Sequence, residues 1–94
     1  GEAVYISSKA AVEAYSRSLA KELSGFNITV NCIAPGPIKT DLLRGVSEKQ
    51  IDNIVSQQIF PRVCEVKDVV NQVNMLLSEQ ANLVSGQTIH VGGA

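Results

Sequence analysis

The chain has 94 residues, of which 45% are hydrophobic and 18% are charged, and its formal net charge at pH 7 is -1. Its basic residues are scattered rather than clustered, which excludes nucleic acid and an anionic membrane surface as expected partners. No apolar run approaches the roughly 20 residues of a membrane-spanning helix, so we expect one soluble domain with no membrane contact.

The first predicted element is an amphipathic helix from Val4 to Leu23, in which apolar residues recur three and four positions apart. Gly25 stands where a glycine commonly ends a helix. The helix also carries a run of small residues, namely Ala10, Ala11, Ala14 and Ser18. This run predicts a surface for close packing of another helix, or it reflects only the high helix propensity of alanine.

A short buried strand is predicted next. The stretch ITVNCIAPG, residues 28–36, combines β-branched residues with a final Pro35-Gly36 turn. A helix followed by such a strand is typical of a parallel α/β sheet. The loop PGPIKTDLLRGVS then follows the carboxyl end of this strand, and ligands bind at such ends in parallel sheets.

Two helices and a second strand complete the predicted pattern. Ser47 and Gln50 form a capping box at the start of a short helix. Residues 66–77 carry a regular apolar stripe, which predicts a core helix packed on a sheet. A Ser85-Gly86 turn precedes the strand QTIHV. Two strands do not form a self-sufficient open sheet, so we expect other polypeptide to supply partner strands.

The two cysteines, Cys32 and Cys64, indicate the compartment. A disulfide is possible on their number alone, but so few cysteines in a core-forming sequence favour a reducing environment, and we expect a cytoplasmic protein. Neither cysteine belongs to a metal-ligand pattern, so no metal site is expected. His90 lies in the last predicted strand and is interpreted as structural.

Tyr5 and Lys9 are four residues apart in the first helix, so their side chains share one face. An ammonium beside a phenol favours the phenolate, and the partly positive helix N-terminus acts in the same direction. Such a phenol can exchange a proton with a carbonyl or alcohol oxygen. On spacing alone, the favoured interpretation is structural, with a half-buried tyrosine and a solvent-exposed lysine.

An ordered set of motifs shifts that interpretation. YISSK leads into AAVEAYSRSLAKEL, and ITVNCIAPGPIKT and SGQTIHVGG follow in that order. Together they resemble the C-terminal part of the short-chain dehydrogenase/reductase family, most closely its 3-oxoacyl-acyl carrier protein reductase type, over essentially all 94 residues. The resemblance implies an α/β fold that is the C-terminal part of a Rossmann-type doubly wound parallel sheet, with the upstream strands absent.

The resemblance implies an NAD(P)-dependent oxidoreductase that interconverts a small-molecule carbonyl and an alcohol. Tyr5 would be the general acid/base, and Lys9 would assist it. Both residues would also contact the cofactor, Lys9 through the nicotinamide ribose. The resemblance does not choose between NAD and NADP, because the discriminating residues would lie upstream.

The loop after the first strand carries the other implied cofactor contacts. Pro35 and Gly36 would form a wall beside the nicotinamide, Ile38 would contact its carboxamide through the backbone, and Thr40 would bind a pyrophosphate oxygen. The structural alternatives are an ordinary turn and an ordinary helix cap. Residues 41–60 would form a substrate lid, in which candidates to face a hydrophobic substrate, or merely to pack on the core, are Leu42, Leu43, Ile54 and Ile59.

The resemblance also implies parts that would precede this sequence, including a glycine-rich phosphate loop and a catalytic serine. We therefore expect residues 1–94 to be the C-terminal segment of a single domain, inactive alone, with the N-terminal half of the same domain as its partner. The complete protein is expected to be a homodimer or homotetramer. The rival hypothesis is a non-catalytic association or oligomerisation module.

Overall fold

A computed structural model of the chain describes residues 2–38 and 45–92. Three α-helices and two β-strands lie in these ranges: α1 (Glu2–Leu23), β1 (Cys32–Pro35), α2 (Glu48–Ser56), α3 (Val66–Leu77) and β2 (Thr88–Val91). Short 3₁₀ turns follow α1 and α3, at Ser24–Phe26 and Glu79–Ala81. The order of elements matches the order that the sequence predicts.

The two strands pair with each other as a small parallel sheet. The N–H of Cys32 donates to the carbonyl oxygen of Gln87, and the N–H of Gly36 donates to that of Val91, both at 2.8 Å. The two bonds are four residues apart along both strands in the same direction, which is the pattern of parallel pairing. The predicted α/β fold class is confirmed.

The packing divides the chain into two compact units. The first comprises the described parts of Gly1–Cys32 and Leu76–Ile89, and the second those of Ile33–Met75 and His90–Ala94. The boundary between the units passes through both strands. The first unit therefore contains all of α1, and the second contains α2 and most of α3.

The helix α1 ends at Leu23 as predicted, but it begins at Glu2, two residues before the predicted start at Val4. The prediction that Gly25 ends the helix is wrong, because a 3₁₀ turn continues the chain beyond Leu23 and the left-handed residue is Asn27, with φ of 58°. The N–H of Asn27 donates to the carbonyl oxygen of Ser24 at 3.1 Å. Asparagine tolerates this conformation because its short polar side chain can hydrogen-bond locally.

The first strand is shorter than predicted, because β1 begins only at Cys32. Val30, which the sequence pattern includes in the strand, donates its N–H to the Ser85 hydroxyl at 3.1 Å and accepts from the N–H of Gly86 at 2.7 Å. These contacts with the turn before β2 satisfy the Val30 backbone outside the strand ladder. Regular pairing therefore starts two residues later.

The helix α2 begins as its capping box predicts. The Ser47 hydroxyl accepts the backbone N–H of Gln50 at 3.2 Å, and the Gln50 side-chain oxygen accepts the N–H of Ser47 at 3.3 Å. Val55 is the buried residue of this helix. Two orphan N–H groups of the first turn are thus satisfied reciprocally, and they set the position at which the helix starts.

The helix α3 forms over the residues of the predicted apolar stripe, but most of that stripe is exposed. None of its residues is buried, and Val66 and Leu77 keep 59% and 79% of their surface accessible. The prediction of a helix with its stripe packed on a sheet is therefore not met by the described residues. The physical reason is that two four-residue strands offer too little apolar surface to cover such a stripe.

Two glycines allow a matched test of this backbone description. Gly86 has φ of +72°, and a Cβ there would lie 3.7 Å from the Cβ of Ala20, so space is available but the conformation is unfavourable. We expect Gly86→Ala to lower the free energy of unfolding by about 1–2 kcal/mol, measured by urea denaturation. Gly25→Ala, which meets no atom within 4 Å, is expected to be neutral or slightly stabilising. Equal losses in both variants would contradict the assignment.

Candidate functional site

Tyr5 and Lys9 lie in the first two turns of α1, with their side chains together. The Lys9 Nζ is 5.4 Å from the centroid of the Tyr5 ring, a cation–π distance. The Tyr5 side chain is accessible to solvent, because the residue keeps 65% of its surface exposed. The shared face that the spacing predicts is therefore present, and it is open to a ligand.

The chemistry of this pair suits a ligand with hydroxyl and carbonyl oxygens. The phenol donates or accepts one hydrogen bond, and the ammonium of Lys9 carries three donors. A nicotinamide ribose presents a pair of hydroxyls, and a carbonyl substrate presents one acceptor oxygen. The donor set of Tyr5 and Lys9 thus fits both groups, and its local geometry follows from helical spacing.

The segment 35–38 is anchored by backbone bonds within the second unit. Beyond the Gly36 bond to β2, the carbonyl oxygen of Pro37 accepts the N–H of Cys64 at 2.8 Å. Ile38 forms an isolated parallel bridge with the same cysteine. The backbone at Pro35, Gly36 and Ile38 is therefore held in place by two different parts of the chain.

Gly36 is closely surrounded. A Cβ built on it would lie 3.0 Å from the Gln58 Oε1, 3.1 Å from the carbonyl oxygen of Val91 and 3.5 Å from the Cys64 Sγ. Only a residue without a side chain fits this cradle without a shift of its neighbours. Position 36 therefore requires glycine because of these close neighbours, and not only because it lies in a turn.

A groove of about 450 Å³ runs beside this segment. Most of its lining is apolar: Ala34, Pro35, Gly36, Pro37, Ile54 and Val91. Its polar lining consists of Gln58 and His90. Gln58 was not predicted as a site residue from the sequence. It follows Ile54 by four residues, a spacing that puts two side chains on the same face of a helix. His90, interpreted as structural, is exposed in the groove.

The remaining predicted site residues fall partly outside the described ranges. Thr40 and the first residues of the predicted lid, 41–44, lie outside the described residues. In the described part of the lid, residues 45–60, Ile54 lines the groove and Ile59 is 76% exposed. The Tyr5 and Lys9 pair belongs to the first compact unit and the 35–38 segment to the second, so each stands as a separate part of the site.

The cysteines, Cys32 and Cys64, are free thiols. Over residues 2–38 and 45–92, no group of three or more metal-ligating side chains is gathered at one place. In the same ranges, none of the helices combines the length and apolar character that crossing a membrane requires.

A family model described as enoyl-(acyl carrier protein) reductase matches residues 1–93. The chain belongs to the short-chain dehydrogenase/reductase family, and the resemblance stated from its motifs is confirmed. The match covers the Tyr5 and Lys9 pair and the 35–38 segment alike.

Curated relatives include both aldehyde and 3-oxoacyl reductases. The chain is 43% identical over 90 residues to NADPH-dependent aldehyde reductase 2, chloroplastic, of Arabidopsis thaliana, covering 95% of this chain and 33% of the relative. It is 39% identical over 93 residues to the 3-oxoacyl-[acyl-carrier-protein] reductase of Escherichia coli, covering 99% of this chain and 38% of the relative. The chain thus spans about a third of the length of these relatives.

A solved structure has the same fold. It is a blue fluorescent protein from a metagenomic library, crystallised in complex with NADPH, with a TM-score of 0.83 and 32% identity. The match covers 95% of this chain and 36% of that protein. The Rossmann-type fold class predicted from the motifs is therefore confirmed.

The Gly36 cradle leads to a test by substitution. We expect Gly36→Ala to lower the free energy of unfolding by about 1–3 kcal/mol, because its Cβ would overlap the Gln58 side chain and the Val91 carbonyl. Denaturant titration measures this change. Adding Gln58→Ala should restore part of the loss, since the flexible contact is removed while the backbone contact stays. Full stability of Gly36→Ala alone would contradict the close packing described here.

Proposed function

We propose that this chain is the C-terminal part of an NAD(P)-dependent oxidoreductase that interconverts a small-molecule carbonyl and an alcohol. The observation that carries the proposal is the Lys9 ammonium, 5.4 Å from the ring of the exposed Tyr5 at the start of α1. Membership of a family of reductases supports it. An aldehyde reductase relative is described as NADPH-dependent, and the solved structure with the same fold is in complex with NADPH. Both descriptions support NAD(P) as the cofactor.

Tyr5 is the general acid/base in this proposal. When bound, NAD(P)H supplies the hydride to the carbonyl carbon. The Tyr5 hydroxyl donates its proton to the carbonyl oxygen during reduction and removes it from the alcohol in the reverse direction. Lys9 places its ammonium beside this phenol, 5.4 Å from the centroid of the ring. Its N–H donors hold the ribose hydroxyls.

The segment after β1 provides the wall for the cofactor. Pro35 and Gly36 would stand beside the nicotinamide, and the Ile38 backbone would contact the carboxamide. Their anchoring to β2 and to Cys64 supports this role, because a fixed wall orients a flat ring without reorganisation on binding. Thr40 is proposed as the pyrophosphate contact by family resemblance alone.

Residues 1–94 form one segment of a single Rossmann-type domain in this proposal, with a substrate lid at about 41–60. The upstream half supplies the glycine-rich phosphate loop and the serine that orients the substrate. The chain spans about a third of its curated relatives, which leaves room for that half. The fragment alone is then inactive, since Tyr5 and Lys9 provide only part of the site.

The assembly and the compartment are also proposals. We propose a homodimer or homotetramer for the complete protein, supported by the exposed apolar residues of α1 and α3. A cytoplasmic location is favoured by the two free cysteines. One of the relatives is described as chloroplastic, a compartment that a signal upstream of this segment would determine.

A second candidate function is a non-catalytic association module. Its support is the exposed surface of α1, where Val12 and Tyr15 are 57% and 68% accessible beside the small side chains of Ala11 and Ala14. Such a surface suits helix packing. It does not require the pairing of Tyr5 with Lys9, so catalysis and association are separable by substitution.

Tyr5→Phe in the complete protein tests the proposed acid/base. We expect turnover to fall by about 10²–10⁴-fold, because the proton donor is removed, while the circular dichroism spectrum and the melting temperature stay unchanged. Tyr15→Phe is the matched control, since it removes an exposed hydroxyl from the same helix. Near-normal turnover of Tyr5→Phe would refute the assignment, and altered oligomeric state without loss of turnover would favour the association module.

Lys9→Met should lower turnover and also weaken cofactor binding. The reason is that one ammonium both assists Tyr5 and holds the ribose. The dissociation constants of NADH and NADPH are measured by fluorescence titration in the wild type, in Lys9→Met and in a control, Lys21→Met, near the other end of α1. A loss of turnover with unchanged cofactor affinity would show that Lys9 assists Tyr5 but does not hold the ribose.

A further inference from the structure

The groove beside Pro35 and Gly36 has a mostly apolar lining with two polar side chains. An apolar cleft with a small number of convergent polar groups is the usual form of a small-molecule site, in which the polar groups fix orientation and selectivity. Here those groups are Gln58, just after α2, and His90 in β2. All of the lining belongs to the second compact unit.

The amide of Gln58 is held with its oxygen inward. Its Oε1 is buried, has no hydrogen-bond partner among the described residues, and lies close to both Gly36 and Gly92, 3.0 and 3.5 Å from where their Cβ atoms would stand. The amide nitrogen also forms no hydrogen bond with any of the described residues. Gln58 therefore offers an N–H₂ donor from a side chain whose other end is fixed by packing.

His90 adds a second polar group from a different element. His90 is exposed and lines the same groove, and its imidazole has no hydrogen-bond partner among the described residues. A neutral imidazole carries one donor and one acceptor. Ile54, four residues before Gln58, contributes an apolar surface to the same lining. The groove thus combines hydrogen-bond donors with an apolar surface that can contact a hydrocarbon chain.

We propose that Gln58 and His90 determine substrate selectivity by binding a second oxygen of the substrate, at a distance from the reacting carbonyl. The substrate class is a carbonyl compound with a further hydroxyl group, such as a hydroxyalkanal, rather than an unsubstituted alkanal. The inference rests on the proposed function, since it places the reacting carbonyl at the nicotinamide wall formed by Pro35 and Gly36.

The physical reason is the asymmetry of hydrogen bonding in a desolvated site. An oxygenated substrate pairs with the Gln58 donor when it displaces water from the groove. An alkanal of the same length displaces the same water and leaves that donor without a partner, which costs free energy. The apolar lining serves both substrates equally, so the selectivity arises from the two polar side chains.

The test uses the complete enzyme and a matched pair of substrates, a hydroxyalkanal and the alkanal with the same number of carbons. We expect Gln58→Leu to raise KM for the hydroxyalkanal by about tenfold, the equivalent of one lost hydrogen bond, with little change for the alkanal. The kcat values and the dissociation constant of NADPH should stay near those of the wild type. His90→Phe should change the same ratio in the same direction.

The controls separate selectivity from folding. Gln57→Leu alters the exposed neighbouring residue and should leave the KM ratio unchanged. Gln58→Glu keeps the side-chain shape but removes the donor, and its melting temperature reports any effect on packing. Calorimetric titration with the corresponding diol and simple alcohol supplies a readout without turnover, in which only the diol should bind more weakly to Gln58→Leu.

The outcomes distinguish this inference from the proposed function. If Tyr5→Phe abolishes turnover but Gln58→Leu and His90→Phe leave the KM ratio and the diol affinity unchanged, the selectivity proposal is overturned and the reductase proposal stands. Turnover that survives Tyr5→Phe overturns the proposed function instead. A tenfold loss confined to the oxygenated substrate and the diol supports both.

Discussion

The parallel pairing of β1 with β2 is the constraint on which the rest of the structure depends. In the first unit it holds Cys32 beside Gln87, and in the second it holds Gly36 beside Val91. The second of these bonds fixes the backbone that follows β1, where the proposed cofactor wall and the selectivity groove begin. Since parallel strands place their carboxyl ends at one edge, the ladder also determines which loop residues are available to a ligand.

The two strands leave much apolar surface uncovered. The stripe of α3 and several residues of α1 are exposed, and few residues of the described chain are buried. A sheet of two strands has no means of covering both, whereas a longer sheet offers the necessary surface. The chain covers about a third of its relatives, and the upstream part that we propose would provide such a sheet together with a phosphate loop.

Two groups of side chains carry the proposed chemistry, one in each compact unit. Tyr5 and Lys9 form an exposed pair set by helical spacing, while Gln58 and His90 mark the polar side of a largely apolar groove. In our proposal the first pair transfers the proton, and the second distinguishes among carbonyl compounds that the reaction itself would accept.

The sequence by itself determined the features that depend on near neighbours: the end of α1 at Leu23, a helix over the apolar stripe at 66–77, the Ser47 capping box, the Gly86 turn and the shared face of Tyr5 and Lys9. Its ordered motifs also identified the family. Only the tertiary structure decided that β1 starts at Cys32, because Val30 bonds to Ser85, and that Gln58 packs against Gly36 and Gly92. These contacts join residues far apart in the chain, where helical and strand periodicities carry no information about distance.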